Sequence, residues 1–309
     1  MRLIKPSFSI WDQQEGLEGV YKQIERAGRV CYKSEDKITE NSAKEFVDRI
    51  IKSGHGAMLE HGTVYLKIPY GTMDDRGEFS NEPIVIKYID NPYSVVMNNS
   101  ENDYWYITSN YRVIIENEWI DDLQYLCEPT EFHAKRITVH FVCDRGVSHE
   151  FVRHRVMSFA QESTRYCNYS KDKFGNELTF ILPPWVDERQ LGEQNSQELL
   201  IQMGSLSNPT YTQEDLNELY FLFSLASSEV QYFNLINNGW KSQQARAVLP
   251  NSLKTELVVT GFASDWEHFF ELRDAGSAHP KARELAHSLH MEFLRRNYLV
   301  DLYDEANPD

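Results

Sequence analysis

Leu17, Val20, Tyr21, Ile24 and Ala27 recur at helical spacing, and the pattern predicts an amphipathic helix over residues 12–29. A second helix is expected from Asn41 or Ser42. There Ser42-x-x-Glu45 has the form of a capping box, Phe46, Val47 and Ile50 make the apolar stripe, and Gly54 ends it. The glycine-punctuated turn SGHGAMLEHG follows, and then the alternating strand TVYLKIP. Between residues 70 and 134 short β-rich runs (PIVIKYI, YSVVM, YWYIT) alternate with polar turns, and NEWIDDLQYLCE has the spacing of a helix.

Further along, RITVHFV alternates as a strand and RGVSHEFVRHR changes to helical spacing. The polar, aromatic stretch SFAQESTRYCNYSKDKFGNE is patterned as a binding loop, and LTFILPPW as a strand stopped by prolines. Residues 187–212 form a polar excursion. Leu216, Leu219, Tyr220, Phe223, Val230, Phe233 and Ile236 then mark a long helix stopped by Gly239. SQQARAVLP is a short helix and TELVVTGFA a strand. Ser264-x-x-Glu267 opens a helix carrying Trp266, Phe269, Phe270 and Arg273, and a last helix runs from Pro280 to about Arg296. The expected fold is α/β of the α+β kind. Antiparallel strands from TVYLKIP, RITVHFV and TELVVTGFA pack on long helices in one domain over 1–309, with insertions at about 70–134 and 187–212.

Composition narrows the class. With 309 residues, 41% hydrophobic and 25% charged, the chain is long enough to bury a large core and is not of the disordered type. The apolar runs are too short to cross a bilayer. The opening MRLIKPSFSIWDQQ lacks the apolar core of a secretory leader, and Cys31, Cys127, Cys143 and Cys167 form no C-x-x-C pair. A cytoplasmic protein with reduced thiols is expected. A net charge of −16 argues against a general nucleic-acid binder, because that affinity comes mainly from neutralising phosphates.

Against that negative field stands Arg153-His154-Arg155, flanked by Arg145 and Arg165. Arginine forks bind phosphate and carboxylate bidentately, so the cluster suits an anionic ligand, although a solvated helix end would also welcome cations. Seven residues separate the cluster from Ser163, giving R-H-R-x7-S, a match expected by chance in on the order of one chain in a thousand. Other motifs are weaker. His149-Glu150-x-x-Arg153 lacks the second histidine of a zincin, and Gly54-His55-Gly56 lacks the rest of a dinucleotide fingerprint. His287-x-x-His290 lies on a predicted helix with no acidic or histidine partner placed to complete a metal site, so a surface or packing role is expected and no metal site.

R-H-R-x7-S is the signature of the flavin-dependent thymidylate synthases, the ThyX family. The chain resembles that family also in AGRVCY, GHGAMLEH, FVRHRVMSFAQESTRY, QARAVLP and HFFELRDAGSAHP, in order. The resemblance implies FAD as cofactor, with dUMP, 5,10-methylenetetrahydrofolate and NADPH as small-molecule substrates, in a homotetramer with active sites shared between subunits. No nucleic acid, membrane or metal is implied. It assigns Arg153, His154, Arg155, Gln161, His268 and His55 to the flavin. It assigns Glu150, Arg153, Gln161, Ser163, Arg165, Arg246 and Arg273 to dUMP, with Arg273 activating the uracil ring.

The chain departs from the family in three places. Phe262-Ala263-Ser264 stands where an N-x-R element contacts flavin, and Ala57 and Cys31 replace common hydroxyl residues. The first departure keeps an alternative open: a nucleotide-binding or sensing module that has lost flavin. An RNA-binding protein using R-H-R and aromatics is disfavoured by the net charge.

Overall fold

The computed structural model describes residues 1–98, 103–203 and 212–299. The chain begins with β1 (Arg2–Ile4), β2 (Ser7–Trp11), α1 (Gly16–Tyr32), α2 (Ser42–Lys52) and a 3-10 turn, Gly56–His61. There follow β3 (Thr63–Pro69), α3 (Glu82–Ile89), β4 (Val95–Asn98), β5 (Tyr104–Asn110) and α4 (Tyr111–Glu116). The middle holds β6 (Arg136–Asp144), α5 (Arg145–Phe151), β7 (Ser158–Gln161), β8 (Thr179–Ile181), β9 (Gly192–Glu193) and α6 (Ser196–Met203). The last stretch holds α7 (Gln213–Asn237), α8 (Ser242–Ala245), β10 (Lys254–Phe262), α9 (Ala263–Arg273) and α10 (Pro280–Arg295).

Among the described residues the strands form three sheets, and every pairing but the parallel β1–β8 is antiparallel. The central one has the order β2-β6-β10-β7. Its strands β6 and β10 pair along their full length, from Lys254 opposite Asp144 to Phe262 opposite Arg136. One face of this sheet supplies Val139, Phe141, Leu257 and Val259 to a core closed by α5, α9 and α10 through Phe151, Trp266, Phe269, Leu289 and Phe293. The mixed α/β architecture agrees with the sequence.

Several elements differ from expectation. TVYLKIP does not join the central sheet: β3 pairs with β5 in a third sheet, β3-β5-β4. PIVIKYI is helix α3, not a strand. Pro83 sits in its first turn, Val85 and Tyr88 are buried, and Ile86 and Ile89 remain exposed. The helix expected in NEWIDDLQYLCE is only a 3-10 segment, Ile120–Tyr125, pinned where the Tyr88 hydroxyl and Lys87 meet the buried Asp122. Neither predicted capping box forms. The Ser42 hydroxyl donates to Glu25 (2.8 Å), and α9 starts two residues earlier, capped at Phe262 and not Ser264, with Asp265 accepting the Phe262 N–H (2.8 Å). The polar excursion carries β9 and α6, and its residues 204–211 lie outside the described residues.

Candidate active site

The R-H-R motif is placed by a short, well-capped helix. Asp144, the last residue of β6, is the N-cap of α5: its Oδ1 accepts the Val147 N–H (2.7 Å), and Lys281 from α10 pairs with the other oxygen. The helix buries Val147, Ser148 and Phe151, and the Phe151 ring packs edge-on against Phe269 at 4.9 Å. It ends there rather than running through the motif. Backbone bonds from Arg153 to Glu150, His154 to Phe151 and Met157 to His154 fold residues 152–157 into turns before β7. This winding sends the His154 ring inward, 6% exposed, and leaves Arg153 and Arg155 at the surface.

Arg273 meets that ring from the other side. Burial of Trp266, Phe269 and Phe270 fixes α9 on the core, which puts Arg273 in its last turn facing α5. The Arg273 Nε donates to His154 Nε2 (3.1 Å), Nη1 to Glu150 Oε2 (2.8 Å) and Nη2 to the Glu150 carbonyl (2.8 Å). Burial first, then the charges of Arg273 and His268, push the His154 pKa down to about 4. At neutral pH the imidazole is therefore neutral, with its Nε2 lone pair committed to the guanidinium. His268 stands 5.9 Å from the His154 ring, exposed on α9 beside Glu271.

Ser163, Arg165 and Arg246 gather in a second group. The loop after β7 is anchored by the buried Glu162, which takes the Tyr169 hydroxyl (3.2 Å) and Lys254 (2.9 Å), and by the Ser163 N–H on the Cys31 carbonyl (3.0 Å). Ser242 in α8 donates to the Arg165 carbonyl (3.0 Å), and Arg246 Nη1 reaches Thr164 Oγ1 (3.3 Å). Both arginines are exposed. Gln161 joins the two groups, since its amide donates to Ser148 Oγ (2.8 Å) on the helix that carries Glu150. His55 is exposed and outside both, next to a glycine, Gly56, that packs on Arg112 and Glu116.

Arg112, Arg136 and Glu60 are residues that sequence reasoning did not single out. With Arg155, Tyr93, Phe262 and Asp265 they line a cleft of about 600 Å³ between the third sheet's helices and the motif. Arg112 bridges Glu60 and Glu116, and Arg136 donates to the Glu60 carbonyl (3.1 Å) while its buried Nε has no hydrogen-bond partner. An arginine opening a β-strand was the available signal. His287 and His290, expected to lack an acidic partner, both reach Asp274. Among the described residues no group of three or more His, Cys, Asp or Glu is placed to share a metal ion.

A family model described as thymidylate synthase complementing protein matches residues 86–296. The chain belongs to this family, ThyX. This ThyX chain is 34% identical over 152 residues to a flavin-dependent thymidylate synthase of Mycobacterium avium, a match covering 49% of this chain and 53% of that protein. It therefore spans about half the length of that relative. It is 26% identical over 279 residues to the flavin-dependent thymidylate synthase of Corynebacterium aurimucosum, covering 89% and 76% of the two chains. Among solved structures it has a distant likeness to the UMP/dUMP methylase PolB from Streptomyces cacaoi bound with 5-Br dUMP. There the TM-score is 0.39 and the identity 16%, with 96% of this chain and 93% of that one covered.

Proposed function

We propose that the chain is a flavin-dependent thymidylate synthase, a methyltransferase that converts dUMP to dTMP with 5,10-methylenetetrahydrofolate as carbon donor and NAD(P)H-reduced FAD as hydride source. The observation that carries the reading is the bond between His154 of R-H-R and Arg273, 119 residues away in sequence, with Glu150 completing the constellation. Two parts of the chain implicated separately by the family pattern meet at one place.

The chemistry asks for such a place. A new carbon bond at C5 of uracil needs electron density on that carbon, so the ring must carry negative charge for part of the reaction. A guanidinium fixed before substrate arrives stabilises that charge at no cost in reorganisation. The C5 proton leaves, the methylene carbon breaks from folate, and a hydride completes the methyl group, so the folate departs as tetrahydrofolate. Bound reduced flavin supplies that hydride. Ser163, Arg165 and Arg246 hold the nucleotide phosphate, with Glu150, Arg153 and Gln161 at the pyrimidine end. Cysteine attack on the ring is disfavoured, because burial raises all four thiols, with Cys31 and Cys127 pushed up to about 11 and Cys167 to about 12.

Arg153, His154, Arg155, Gln161, His268 and His55 are the chain's flavin residues in this reading. The cleft beside Arg155 fits such a group: an orphaned buried Arg136 Nε is a donor suited to phosphate or to a ring carbonyl. Assembly as a homotetramer with shared sites is supported by exposed apolar side chains next to site residues, namely Val156, Tyr166 and Leu272. A sedimentation mass of one 36.2 kDa chain at micromolar concentration would remove the assembly.

The second reading, a nucleotide-binding module without flavin, draws on Phe262, whose ring lies 5.5 Å from the Arg136 guanidinium at the point where the family has N-x-R. Purification separates the two. A yellow protein with flavin near one per chain supports the enzyme, and a colourless protein that takes up no added FAD supports the module.

A further inference from the structure

Asp274 directly follows Arg273 and caps α9, its N–H bonded to the Phe270 carbonyl (2.9 Å). An acidic side chain at a helix C-terminus opposes the helix dipole, so the position does not favour the helix by itself. The carboxylate is nevertheless held firmly from α10. His287 Nδ1 donates to Oδ1 (3.0 Å) and His290 Nδ1 to Oδ2 (2.9 Å), while Arg283 stands 3.8 Å from Oδ1 and donates to the Asp274 carbonyl (3.1 Å). The carboxylate is 13% exposed, and the His290 ring lies flat on Phe270 at 4.4 Å and 9°. The end of α9 is thus gripped on two sides: Arg273 by Glu150 and His154, and the next residue by two histidines and an arginine.

We propose that Asp274, clasped by His287 and His290, is a positioning residue that fixes the direction of the Arg273 guanidinium for chemistry on the pyrimidine ring. The inference rests on the assignment of Arg273 to the uracil ring made above. One free torsion at the helix end would swing a guanidinium by an ångström or more, a displacement that can cost on the order of a hundredfold in rate. The clasp removes that freedom from outside the site, and leaves substrate contacts to Arg273 itself.

The test is a double-mutant cycle on the full chain with flavin bound, measuring kcat, the dUMP dissociation constant and the titration of His154 by NMR. Asp274→Ala is expected to lower kcat by about tenfold or more with far less change in dUMP affinity. Asp274→Asn, which keeps one acceptor oxygen for one histidine, should recover part of the loss and guards against misfolding of the alanine variant. In an Arg273→Ala background the same Asp274 substitution should change kcat by less than about twofold, since its effect runs through the missing guanidinium. The His154 titration should move in Asp274→Ala in the direction it moves in Arg273→Ala. This readout needs no turnover, so it decides the inference even if the protein makes no dTMP, an outcome that would sink only the function reading. An equal loss of kcat in both backgrounds, or an unmoved His154 titration in Asp274→Ala, overturns the positioning role.

Discussion

Replacing Arg273 by alanine removes three donor bonds at once, two to Glu150 and one to His154. The fold should survive, because the Arg273 and Glu150 side chains are 18% and 33% exposed and a partly solvated pair contributes only about 1 kcal/mol. Catalysis should not. A preorganised donor acting on developing charge contributes about 3 to 4 kcal/mol, so turnover at saturating dUMP should drop on the order of a hundred- to a thousandfold. Loss of a charged hydrogen bond to bound nucleotide weakens affinity by about 1.5 to 3 kcal/mol at most, so the rate loss should exceed what binding explains. Reduction of the flavin by NADPH should persist. The histidine provides an independent check: with the guanidinium gone, the His154 pKa should rise from about 4 but stay below 6.5, since burial is the larger cause and remains. Single-turnover dTMP formation, dUMP binding and NMR titration together decide the matter. Normal turnover at saturation in Arg273→Ala would refute the assignment of its role, and an unshifted His154 would refute the contact.

Arg165→Ala and Arg246→Ala should each weaken dUMP binding by about 1.5 to 3 kcal/mol with a smaller effect on turnover once saturated, as equilibrium binding would show. Asp144→Ala removes the cap of α5 and strands Lys281, so chemical denaturation should show a loss of about 1 to 2 kcal/mol, with an unchanged midpoint counting against the cap. The buried, neutral His61 and His154, with pKa values lowered to about 3 and about 4, bind fewer protons folded than unfolded. Stability should be level above pH 6.5 and fall as pH drops from there toward 4, with a slope of about 1.4 kcal/mol per pH unit for each histidine. Denaturation curves across that range check the sign.

The sequence displayed the parts whose pattern is long and amphipathic. α1, α7 and α10, and the strands β6 and β10, are legible because each carries enough repeats for one face to be buried. Short elements were hidden. β7 has only four residues, Ser158–Gln161, inside a polar stretch, and β2 precedes the first helical pattern with Ser7 and Ser9 between its apolar positions. PIVIKYI misleads because its β-branched run suits a strand, whereas helical burial of Val85 and Tyr88 against the third sheet's core wins. At the site, R-H-R stood out by spacing and by resemblance, and Arg273 by resemblance alone. The inward turn of His154 did not, because it depends on α5 stopping at Phe151. The roles of Arg136 and Asp274 are not legible for a related reason: their partners, Glu60 and the α10 histidines, come together only through tertiary packing.

Tritium release from 5-³H-dUMP, with methylenetetrahydrofolate and NADPH supplied and no other thymidylate synthase present, reports whether the C5 hydrogen is replaced. Flavin-dependent release of tritium should match the formation of dTMP, be abolished when folate is omitted, and fall on the order of a hundredfold or more in Arg273→Ala. Flavin-loaded protein that binds dUMP but releases no tritium under these conditions would contradict the proposed function.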